Sequence, residues 1–179
     1  MKDVLRRENI LQQEVVDILN RQVKMEAQAS AGYLAMAAWC DRRGYDNSAQ
    51  YFFEQSDGER KHQLRFFHYL VNMECDAISP SINQPDDEFT TLRSVFERAL
   101  EMEATVTDAI HDVVRTCRKV GDLATEEFMR DDVKEQIEEE FVARRVLELF
   151  DVLGEDKIAL GMFEERVLDV KYDDGNGDS

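Results

Sequence analysis

Apolar residues recur along this chain in alternating steps of three and four, the spacing that lines one face of an α-helix. From about Asn9 to Arg43 the stripe reads Leu11, Val15, Ile18, Gln22, Met25, Ala29, Gly32, Met36 and Trp39, and predicts a first long helix over 9–43. Glu26 and Tyr33 sit one residue on, in a parallel stripe with Leu19 and Cys40, which places both on the wider apolar face. Arg43-Gly44-Tyr45-Asp46-Asn47 combines a glycine stop with an Asp or Asn start. So short a connection makes the second helix, 46–74, antiparallel to the first. Its stripe is Phe52, Gln55, Glu59, His62, Phe66, Tyr69 and Met73.

After Glu74 the period is lost across a stretch that carries Pro80 and Pro85. A helix of about 30 residues is roughly 45 Å long, and some fifteen extended residues reach about 50 Å. The stretch can therefore travel the length of a bundle and let the third helix lie parallel to the second. That helix, 91–119, has the cleanest stripe: Leu92, Phe96, Ala99, Glu103, Val106, Ile110, Val113, Cys117. Gly121-Asp122 make a turn into a fourth helix, 122–153, with Met129, Asp132, Gln136, Glu139, Ala143, Val146, Phe150 and Leu153. Gly154 ends it and Asp156 caps a short fifth helix over 157–170, before an acidic tail at 173–179. The expectation is one all-α domain: a four-helix bundle with one long crossover between the second and third helices and a short C-terminal fifth helix.

The formal net charge of −17 repels nucleic acid and anionic membranes and concentrates cations. Cys40, Cys75 and Cys117 are odd in number and lack a CxxC spacing, which fits free thiols in a reducing compartment. No apolar run approaches the roughly 18 residues of a membrane span, and the N-terminus has no apolar signal-peptide core. A cytoplasmic protein is expected.

Each long helix carries ionisable or amide side chains near its midpoint: Glu26, Glu59 with His62, Glu103, and Gln136 with Glu139. Glu59 and His62 share a helix face, as do Gln136 and Glu139. Burying such groups costs several kcal/mol unless something compensates. Helix midpoints meet at one level whichever way the helices run, so these groups converge at the centre of the bundle. A metal ion there satisfies carboxylates and a neutral imidazole together. Oxygen and imidazole ligands at open positions suit Fe(II), with Mn(II) and Zn(II) as competitors. The bland alternative pairs the carboxylates with arginines, but no arginine lies on the four stripes. His68 and His111 lie off them.

Glu26 with Tyr33, Ala38-Trp39-Cys40, Glu59-Arg60-Lys61-His62, Met102-Glu103 and the run from Glu135 to Glu140 together resemble the non-haem ferritins of the bacterial type, over about Ile10 to Lys171. Ferritin-like di-iron proteins take one Glu from each of two helices and a Glu-x-x-His from each of the other two. Here the fourth helix offers Gln136-x-x-Glu139 instead, a weaker ligand set that holds a second metal loosely. The resemblance implies a hollow shell of twenty-four chains that oxidises Fe(II) with O2 or peroxide at a ferroxidase site in each chain and stores a ferric oxyhydroxide mineral. It implies that Glu26, Glu59 and His62 hold a first iron, that Glu59 bridges to a second bound by Glu103 and Glu139, and that Gln136 sits beside the second, directly or through water. Tyr33 then corresponds to the family's near-site tyrosine, or else is a core tyrosine bonded to a carboxylate.

Glu135 and Glu138 match ligands of the third iron site known in bacterial ferritins, but Gly58 stands where its second-helix carboxylate belongs. Haem is not expected, since bacterioferritins carry a second Glu-x-x-His and a methionine where this chain has Arg60. Glu126 and Glu127 correspond to the region of acidic channels, or are solvated first-turn carboxylates. The alternative activity is a non-storing di-iron oxidase or peroxidase of the same fold.

Overall fold

A computed structural model describes residues 11–173, so the first two residues of the predicted first helix and tail residues 174–179 lie outside it. Its elements are α1 (Gln13–Asp41), α2 (Asp46–Asn72), α3 (Leu92–Val120), α4 (Leu123–Phe128), α5 (Arg130–Leu153) and α6 (Lys157–Arg166), followed by a 3-10 turn at Val167–Asp169. There is no strand among the described residues. α1 packs along α2 and α3, and α3 packs along α5, which makes the four-helix bundle.

Local signals end and start most of these helices where the sequence indicates. Thr91 and Ser94 form a reciprocal capping box at the start of α3, and Gly121 in the left-handed conformation closes its end. Asp156 accepts the backbone N–H groups of Ile158 and Ala159 at the start of α6. At the start of α2 the structure departs from the expected Asp46 or Asn47 cap, because neither side chain fills that role. Glu164 of α6 supplies the carboxylate instead, accepting the backbone N–H of Asn47 at 2.9 Å and of Ser48 at 3.3 Å.

The fourth helix is not continuous, contrary to the sequence expectation. It breaks at Met129, between α4 and α5, without a proline or glycine. Arg65 of α2 donates to the carbonyl of Phe128 at 2.7 Å and pairs with Asp132, so a guanidinium occupies the helix carbonyl at the break. Its plane also lies over the Phe128 ring, 4.1 Å from the centroid. Asp132, on the α5 stripe, is thus answered by an arginine after all, from a position beside the α2 stripe.

Residues 73–91 form the long crossover. Asn20 donates to the carbonyl of Asp76 and accepts from the N–H of Ile78, both at 2.8 Å. Gln28 does the same to Asn83, at 3.0 and 2.8 Å, and the Trp39 indole donates to the Phe89 carbonyl at 3.1 Å. The segment therefore follows α1 from its N-terminal half to its C-terminal end, which delivers α3 parallel to α2. Amide side chains suit this task because each offers a donor and an acceptor to an otherwise unpaired extended backbone.

The core is two apolar regions rather than one. Toward the C-terminal end of α1, Tyr33, Met36, Trp39, Phe52, Phe96, Phe150 and Phe163 are all but inaccessible. The Phe52 and Phe96 ring centroids lie 4.7 Å apart in a tilted pair, those of Phe150 and Phe163 4.1 Å apart in a stack, and Phe96 meets Phe163 edge-on, so aromatic contacts join α2, α3, α5 and α6. Toward the N-terminal end, Val15, Leu19, Val23, Phe66, Leu70, Ile110, Val113 and Met129 form the other. Between them lies a polar belt.

Candidate metal centre

The belt is held in the bundle interior. Glu26 is fully buried, Glu59, Glu103 and Gln136 are buried, and His62 and Glu139 are partly so. One ligand atom from each of Glu26, Glu59 and His62 lies within 4.8 Å of the others. His62 Nδ1 is 3.8 Å from Glu59 Oε2. Glu26 Oε2 and Glu59 Oε2 are buried with no hydrogen-bond donor. Two carboxylates meet in an apolar bundle only with a proton or a cation between them, so this group fits a divalent metal.

Glu26 is oriented from behind: Gln22, one turn earlier on the same stripe, donates to its Oε1 at 2.7 Å. Burial pushes the Glu26 carboxyl well above the usual range, and Glu59 pushes it further. For His62, burial disfavours the charged form, but Glu135 and Glu59 outweigh it and lift the imidazole to about 11. Without metal the imidazole is protonated at neutral pH, and a metal at Nδ1 must displace that proton.

The second half of the belt is arranged differently. Tyr33 Oη donates to Glu103 Oε1, and the Gln136 amide donates to Glu103 Oε2 at 3.0 Å. Both oxygens of Glu103 are thus occupied by protein donors. Burial raises its pKa, Glu59 adds to this, and the two donors oppose it. Burial likewise lifts Glu139 to about 7, aided by Glu59, while Gln55 donates to it. Glu103, Gln136 and Glu139 share the belt but do not close a metal-ready group with the first three among the described residues. Tyr33 is the core tyrosine bonded to a carboxylate, and it also stands beside the centre.

Other sequence candidates fall outward. His68, His111 and Glu138 are exposed. Glu126 pairs with Arg118, and Glu127 with Arg130. Glu135 faces the other side of His62, its Oε1 being 3.2 Å from Nε2. Gln22 is a supporting residue that sequence reasoning passed over although it stood on the stripe four residues before Glu26. Ser30 and Ser56 carried no comparable signal. Each donates its hydroxyl to the other's carbonyl at 2.9 Å, clasping α1 to α2 one turn from Glu26 and Glu59.

Comparison with known proteins agrees with this architecture. The Ferritin-like domain model matches residues 16–152. A bacterial non-heme ferritin of Staphylococcus saprophyticus is 29% identical over 165 residues, 92% of this chain and 99% of its own length. A probable bacterial non-heme ferritin-like protein of Haemophilus influenzae is 31% identical over 156 residues, 87% of this chain and 94% of its own. An open pore ferritin from the archaeon Archaeoglobus fulgidus matches with a TM-score of 0.85 at 29% identity, covering 88% of this chain and 96% of that one. A family match across all four bundle segments, on a fold whose polar belt offers carboxylates and a histidine to a metal, identifies this chain as a member of the ferritin family.

Proposed function

We propose that this protein is an iron-storage ferritin of the non-haem bacterial type, which binds Fe(II) as substrate, oxidises it with O2 or peroxide, and keeps the ferric oxyhydroxide product inside a shell of twenty-four chains. The first Fe(II) binds to Glu26, Glu59 and His62. Glu59 bridges to a second Fe(II) held by Glu103 and Glu139, with Gln136 beside it. The observation that carries this reading is the meeting of Glu26, Glu59 and His62, with two donorless buried oxygens, between two apolar core regions.

The unequal halves suit a substrate that passes through. The first position has ligands waiting, whereas Glu103 exchanges the Gln136 amide for the second ion. Two Fe(II) ions held side by side deliver their electrons to one oxidant molecule together. The surrounding carboxylates neutralise most of the added charge and favour the ferric product. The net charge of −17 raises the local concentration of the incoming cation. Haem has no part in the reading. The cytoplasm is its setting, consistent with three free cysteines.

Anaerobic Fe(II) titration followed by aeration tests it. The expected result is about two Fe(II) bound per chain before air, rapid oxidation on aeration, and a particle of shell size that retains iron. Glu59→Ala and His62→Ala are expected to abolish rapid oxidation while the helical content persists. Unchanged kinetics in both variants refute the assigned site. Rapid turnover by a particle no larger than a dimer points to a non-storing oxidase.

A further inference from the structure

His62 faces a carboxylate on each ring nitrogen. Nδ1 faces Glu59 and the metal-ready group, and Nε2 faces Glu135 of α5 at 3.2 Å. A metal shared with Glu26 and Glu59 takes the lone pair of Nδ1, so Nε2 keeps its proton and keeps Glu135 as its partner. An imidazole whose far N–H meets a carboxylate is held in one tautomer and one ring orientation and binds metal more firmly. On its own helix His62 has no such partner on the preceding turn, because position 58 is glycine. A Cβ built there meets nothing within 4 Å. The Glu135 side chain is 47% exposed, so burial does not force it against the ring.

We propose that Glu135 is a positioning residue for this centre: across the α2–α5 interface it fixes the orientation and tautomer of His62, so that Nδ1 is presented to the first metal ion. The inference deepens the ferroxidase reading and rests on it. It gives Glu135 a task on the first iron instead of a place in a third site.

Anaerobic titration of the intact metal-free protein with Co(II), followed by its visible ligand-field absorption, tests the inference without turnover. Glu135→Ala is expected to weaken Co(II) binding about ten- to hundredfold and to alter the band shape, with the helical circular dichroism unchanged. Glu135→Gln, whose amide oxygen still accepts the Nε2 proton, is expected to keep the parent band shape and recover most of the affinity. Parent-like affinity and spectrum in Glu135→Ala, alongside loss of both in Glu59→Ala, overturn the positioning role and leave the metal site standing. If the parent shows no Co(II) band that depends on Glu59, the ferroxidase reading itself falls, and this inference with it.

Discussion

Glu164 and Asn47 bind each other twice: the Glu164 carboxylate accepts the Asn47 backbone N–H at 2.9 Å, and the Glu164 carbonyl accepts the Asn47 side-chain amide at 2.8 Å. The short C-terminal helix thereby caps the N-terminus of α2, where orphan N–H groups and the helix dipole favour a carboxylate. Glu164→Ala is expected to cost about 1–2 kcal/mol, seen as a lower denaturation midpoint of the metal-free protein. An unchanged midpoint would show that water caps α2 equally well.

Tyr33 and Gln136 together satisfy Glu103, so Tyr33→Phe leaves a buried carboxylate oxygen without its donor. The donor favours the ionised form, hence its removal is expected to raise the Glu103 pKa further and weaken the second metal position proposed above. Anaerobic Zn(II) calorimetry at pH 7 is expected to show the weaker of two binding events fading while the stronger persists. Equal weakening of both events would count against separate positions.

Arg65 ties α2 to the break in the fourth bundle segment through Asp132, which is buried and keeps one donorless oxygen. Removing the partner of a buried charge costs about 3–5 kcal/mol. Arg65 is one-third exposed, and solvent screening lowers the expected cost of Arg65→Ala to about 2 kcal/mol. Thermal unfolding checks the figure, and Arg65→Ala with Asp132→Asn is expected to be less destabilised than Arg65→Ala alone.

The belt also makes stability depend on pH in a direction opposite to an ordinary salt-bridged protein. Glu26 and Glu103 have raised pKa values, Glu139 is lifted from 4.5 to about 7, and His62 from 6.5 to about 11. In each case the folded state holds a proton that the unfolded state releases. The carboxyl contribution is complete below about 4.5 and is lost as pH rises through the folded values; the His62 contribution is complete below about 6.5 and declines from there as pH rises toward about 11. The metal-free protein is therefore expected to lose thermal stability between pH 5 and pH 8, less steeply in Glu26→Gln. Binding of Zn(II) at pH 7 is expected to release protons into a dye-monitored weak buffer and to restore stability most at pH 8. A flat profile without metal would contradict the protonated belt.

The sequence by itself determined the helices and the level of the polar belt, because a helix's period is written in its own residues. The α3 stripe shows this best: every position predicted to face inward is buried, and the structure adds Val95. It also marked Glu26, Glu59 and His62, since three ionisable groups on apolar stripes stand out without any knowledge of their partners. Tertiary structure alone decided what lies across an interface. Arg65 reaches the Phe128 carbonyl from another helix and breaks what the period reads as one continuous element. Glu164 caps a helix more than a hundred residues upstream, and Asn20 and Gln28 pin the crossover through backbone groups that carry no sequence signature. Such contacts depend on distance and angle between segments brought together by folding, which spacing along a single strand of sequence does not encode.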